Sequence, residues 1–188
     1  MKKQQVYAVT TGLVVLVFSV VLWNSFGRTT MPIIIPTIIS YFVWLKTTYK
    51  QPANYRDILI IYLLAVATQI AHLLEEFLTE AYVELPILFN ADSAISKDSF
   101  VIIFILGASF LYVLGAIGLI KRNPFANYFV WFVALGPMLA NSIAHTYATV
   151  VTREYFPGLI TTLIQVLVAV IFIRALMGKR LPVVLKMT

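Results

Sequence analysis

The chain has no cysteine, only two histidines and very little charge. Without cysteine there can be no disulfide, thiolate metal site, iron–sulfur cluster or cysteine nucleophile. Charged residues make up 12% of the 188 residues and hydrophobic ones 61%, against about 25% and about 45–50% in soluble domains. So little charge cannot cover a water-facing surface, and the mean hydropathy of +0.91 excludes a free soluble globule. The same apolar richness excludes intrinsic disorder. A net charge of +6 and a pI near 9.6 would suggest nucleic acid if the basic residues formed a patch. They stand instead at the ends of apolar runs, which is a membrane pattern. No nucleic-acid partner is expected.

About 20 apolar residues are needed for a helix to cross a hydrocarbon core about 30 Å thick. Six segments qualify, at 6–26, 31–45, 57–79, 99–120, 126–151 and 158–177, predicting a single all-α membrane helix bundle over 1–188. The second is the shortest and carries Pro32 and Pro36, of which the later one bends a helix. With six crossings and both termini cytoplasmic, only Arg28, Lys97 and Arg153 of the 14 basic residues fall outside, the asymmetry that cytoplasmic loops require. The expected location is therefore the cell membrane, multi-pass. The first segment resembles a signal peptide, but it is long for one and lacks an A-x-A-like site, so it reads as a retained span. The loop at 80–98 is apolar enough at its centre to lie on the interface as a candidate lid. Trp23, Trp44 and Trp131 read as interface anchors. Gly107, Gly115 and Gly118 read as points of close helix approach, and Pro137 as a kink in the fifth span.

Ionisable residues inside a span are costly and mark function by default. In the third span, His72, Glu75 and Glu76 share one helical face with Thr68 and Gln69 one turn earlier, because i, i+3 and i+4 are neighbours. In the fifth, Asn141, His145 and Thr149 recur every four residues, with Ser142 joining obliquely; in the sixth, Thr161 and Gln165 do the same. Counting along each span places His72, His145 and Gln165 each about 12 Å from a helix end, in the outer half of the bilayer. Unpaired polar groups in apolar surroundings are costly, so these predict one shared site.

His72-Leu-Leu-Glu75-Glu76, then Asn141-x-x-x-His145 and Tyr155-Phe-Pro157-Gly158, resembles the HXXEE family of small bacterial membrane proteins, over most of the chain from the third span onward. The family's activity is not established, so the resemblance groups these residues without naming a reaction.

Two neutral imidazoles and a carboxylate with an open fourth position suit a divalent metal such as zinc, iron or manganese. His72, Glu76 (or its neighbour Glu75) and His145 are the expected ligands, Asn141 an orienting group, and the glutamate of the Glu75/Glu76 pair left over from ligation a general base. Gln69, Thr149 and Gln165 would line the site. Such a centre points to hydrolase-like catalysis on a lipidic or apolar substrate, with membrane lipid as the surrounding partner. The same residues also suit proton- or cation-coupled transport, or a structural cluster tying helices together.

Overall fold

The computed structural model describes residues 3–53, 55–89 and 95–178, and all regular structure among them is helical. The helices are α1 (Lys3–Phe26), α2 (Met31–Lys46), α3 (Tyr55–Leu78), a short α4 (Ala81–Leu88), α5 (Lys97–Ile120), α6 (Pro124–Thr152) and α7 (Leu159–Leu176). Five apolar helical stretches are long enough to cross a membrane: Gln4–Lys46, Ile58–Leu78, Lys97–Ile120, Pro124–Thr152 and Leu159–Leu176. The first is too long for one crossing. It folds back at a 3-10 turn, Gly27–Thr30, where Gly27 adopts a φ of 56°. The Tyr41 hydroxyl then donates to the Ala8 carbonyl at 3.2 Å, and Tyr49 to that of Gln4, so α1 and α2 run antiparallel. The expected six helices are thus all present. At 16 residues, α2 rises only about 24 Å. Pro32 sits in its first turn, where no hydrogen bond is lost, and the helix continues past Pro36.

Much of the outer surface is apolar. Leu16 and Val17 on α1, Phe110 and Val113 on α5, and Leu163 and Leu167 on α7 are all exposed, a surface suited to lipid and not to water. The core is instead organised around α6, whose residues from Ala126 to Ala134 are all buried. Gly118 lets α5 lie directly on the α6 backbone, because a Cβ there would overlap Ala126. Gly115 leaves room for the Tyr62 ring, whereas Gly107 faces no neighbouring helix and is not a point of close approach.

Trp44 and Trp131 are fully buried, so only Trp23, which is exposed, fits the anchor expectation. The Trp44 indole packs in an aromatic cluster, meeting Tyr49 and Tyr128 at 5.0 and 6.1 Å. The polar edge of Trp131 is satisfied internally, its Nε1–H donating to Thr48 Oγ1 at 3.0 Å.

Pro137 marks a change of helix type in α6. It lies within Ala134–Ala140, a stretch of widened π-type turns. Proline offers no N–H and crowds the carbonyl four residues before it, so the ladder opens by a residue. Each extra residue rotates the following face by about 100°. The segment that follows, Asn141–Thr152, carries the polar face of the fifth span.

Candidate metal centre

The site forms where α3, the last twelve residues of α6 and the start of α7 meet. On α3, Ile70 and Leu74 point outward, while His72 and Glu76 are buried, at 0% and 4% exposure. On α6, His145 is buried beneath the same surface at 1% exposure. The two imidazole rings stand edge to face with centroids 4.8 Å apart. Glu76 Oε1 lies between them, 2.7 Å from His145 Nε2 and 3.3 Å from His72 Nε2. Asn141, one turn before His145, aims its amide nitrogen into the same point, 2.8 Å from His72 Nε2 and 3.3 Å from Glu76 Oε1. One ligating atom each from His72, Glu76 and His145 lies within 4.8 Å of the others.

The adjacent glutamate faces elsewhere. Glu75 turns its carboxylate to the start of α7, where Oε1 accepts from the Ile160 N–H at 2.9 Å and the Tyr155 hydroxyl at 2.6 Å. Oε2 accepts from the Thr161 N–H at 2.8 Å and the Thr161 hydroxyl at 2.6 Å. A carboxylate at a helix N-terminus satisfies orphan N–H groups and complements the dipole. Burial and the neighbouring Glu75 carboxylate raise the pKa of the Tyr155 phenol, which holds its proton as a donor more firmly. Thr161 also lies 2.7 Å from His72 Nδ1, linking this cap to the imidazoles.

The turn between α6 and α7 covers the cluster. Arg153 and Gly158 both take left-handed backbone, with φ of 58° and 93°. Phe156 is buried and lays its ring 5.6 Å from that of His145. Gly158 passes so close that a Cβ would sit 2.8 Å from His72 Cε1 and 2.9 Å from His145 Cε1. Among the described residues this six-residue turn forms the cover; of the loop at 80–98, α4 packs beside α3, and residues 90–94 lie outside the described residues.

Gln165 belongs to a separate layer. Its Nε2 donates to Gln69 Oε1 at 2.5 Å, and its Oε1 accepts from the Ser142 hydroxyl at 3.0 Å, joining α7, α3 and α6. All three side chains are buried. Counting from the helix end misplaced Gln165 by about a turn, because the turn after α6 dips into the bundle and α7 begins level with the imidazoles. Thr161 occupies the level expected of Gln165. Thr149 Oγ1 and His145 Nδ1 are buried with no hydrogen-bond partner among the described residues. A cleft of about 260 Å³ between α1, α2, α5 and α6 is lined by apolar side chains such as Phe18, Leu114 and Phe132, and none of the cluster residues borders it.

Sequence reasoning brought His72, Glu76, Asn141 and His145 to one place, where they meet. It treated Glu75 and Glu76 as equivalent, and they are not. Tyr155 and Gly158 entered there only through the motif that carries the family resemblance, and Thr161 had no partner. The available signal was position: all three lie within a few residues of the α7 start, which must close over whatever α3 and α6 bury.

The family described as "Protein of unknown function with HXXEE motif" matches residues 63–173, which includes every residue of the cluster and of the turn above it. No curated protein and no solved structure is detectably similar to the chain.

Proposed function

This chain belongs to the HXXEE family, and from that premise and the meeting of its motif residues we propose that it is a membrane-embedded metalloprotein with hydrolase-like activity on an apolar or lipidic substrate. His72, Glu76 and His145 would hold a divalent ion of the zinc, iron or manganese kind. The observation that carries this reading is the convergence of three ligating atoms, within 4.8 Å of one another, on fully buried side chains from two helices. The 3.3 Å between His72 Nε2 and Glu76 Oε1 matches the separation of two tetrahedral ligands at about 2.0–2.1 Å from zinc, which is about 3.3 Å. The 2.7 Å between His145 Nε2 and Glu76 Oε1 is a hydrogen-bond distance, so a cation there would replace a shared proton.

A bound ion would supply Lewis acidity toward an ester or amide carbonyl, or toward water. The chain's own residues supply the rest. Asn141 presents an amide N–H group to the reacting point, and Glu76 makes all its contacts within the cluster through Oε1. Phe156 and Gly158 exclude water from above, which strengthens every electrostatic interaction beneath them. Apolar surroundings on all helices favour a substrate that partitions into the bilayer. Passage of a cation is the other use such a cluster could have; the closed turn over both histidines favours a resident ion.

Metal analysis of detergent-purified protein tests the proposal. About one ion per chain is expected, and none in a His72→Ala/His145→Ala variant that keeps its helical spectrum. No metal under any loading condition would overturn it. The charge asymmetry of the sequence further supports a cell-membrane location with both termini cytoplasmic. Reporter fusions at each end should then report the cytoplasmic side, and a periplasmic or extracellular signal from either would refute that topology.

A further inference from the structure

We infer that Glu75 and Thr161 are positioning residues that fix the tautomer of His72, leaving its Nε2 as an electron-pair donor directed at Glu76 and His145. A carboxylate offers about four acceptor positions, and Glu75 has four donors: the Ile160 and Thr161 N–H groups and the Tyr155 and Thr161 hydroxyls. The single hydroxyl proton of Thr161 is therefore directed to Glu75 at 2.6 Å, in preference to the Gly158 carbonyl at 3.3 Å. What remains on the Thr161 oxygen is a lone pair, and His72 Nδ1 lies 2.7 Å from it. Nδ1 must carry the hydrogen.

A neutral imidazole with its proton on Nδ1 has a bare Nε2. The other side of the ring agrees, since the Asn141 amide nitrogen donates to Nε2 at 2.8 Å. Two acceptors, His72 Nε2 and Glu76 Oε1, consequently face each other at 3.3 Å with both side chains buried. The Asn141 amide nitrogen reaches both, at 2.8 and 3.3 Å, and a cation drawn to the same two lone pairs would take its place between them. Carboxylate partners that orient a ligating histidine through its second nitrogen are the general device for this, and losing them typically weakens metal binding by about 10–100-fold. Here the partner acts through a hydroxyl.

The consequence for metal rests on the reading given above, but the tautomer does not. With only two histidines in the chain, ¹⁵N-histidine NMR of the full-length, chelator-stripped protein resolves both rings, with a His145→Ala variant assigning them. The expected result is His72 protonated at Nδ1, a shift of that proton toward Nε2 in Thr161→Val, and the native pattern in Thr161→Ser. Zinc affinity, measured by competition with a chromophoric chelator, should fall about 10–100-fold in Thr161→Val and recover in Thr161→Ser. A wild-type His72 protonated at Nε2, or an unchanged tautomer in Thr161→Val, would overturn the inference. Should the tautomer respond as expected while no zinc binds any variant, the metal reading fails and the positioning role of Glu75 and Thr161 stands.

Discussion

Gly158→Ala is expected to eliminate metal loading while the protein stays folded and helical. Two effects act together. A φ of 93° is strained for any residue with a Cβ, at about 1–2 kcal/mol. The added carbon would also lie 2.8 Å from His72 Cε1 and 2.9 Å from His145 Cε1 and Nδ1, well inside van der Waals contact. Neither ring is free to step back. His72 is held at one nitrogen by Thr161 and at the other by Asn141. His145 is held by Glu76, with Phe156 against it. The overlap must be relieved by lifting the turn or splaying the imidazoles, and either disperses the ligand set. We expect a loss of stability of about 2–3 kcal/mol and at least a 100-fold loss of zinc affinity, read by thermal unfolding in detergent and by chelator competition. Native affinity in Gly158→Ala would show that the turn does not fix the imidazoles.

The largest effect on the fold itself is expected at Gly118→Ala. A Cβ there would overlap the backbone of Ala126 and Asn127. Backbone cannot rotate away as a side chain can, and Ala126 begins the fully buried stretch of α6. Overpacking a tight site costs about 1–3 kcal/mol when neighbours can yield, and more when they cannot. The α5–α6 hairpin should therefore separate, with a loss of about 3 kcal/mol or more and failure to purify as a monodisperse species. Gly107→Ala is the control. The nearest atom to its added carbon is the Ile102 carbonyl oxygen of the same helix at 3.5 Å, so unfolding should move little, and upward if at all, since alanine favours helix by about 1 kcal/mol over glycine. Equal stability of the two variants would contradict the close packing described for α5 and α6.

Helices long and apolar enough to span a membrane, and the meeting of His72, Glu76 and His145, were legible in the chain. Each rests on a one-dimensional property. Apolar run length is set by bilayer thickness, and the face shared by His72 and Glu76, or by Asn141 and His145, follows from 3.6 residues per turn. The cost of burying polar groups alone then requires the two faces to meet.

What the chain alone left open were the quantities that depend on how one helix is offset against another. His72 and His145 did meet, but Gln165 pairs with Gln69 a turn away, because the depth of a helix start depends on where its preceding turn is packed. Glu75 and Glu76 are neighbours in sequence yet about 100° apart around α3. That rotation sends one carboxylate between two imidazoles and the other to the first N–H groups of α7, and only the placement of α7 decides which. Trp44 and Trp131 look alike to Trp23 in sequence but are buried, since a core is defined by which faces meet and not by residue type. Local spacing determined which side chains had to leave the lipid; the packing of three helices and one six-residue turn decided what each of them touches.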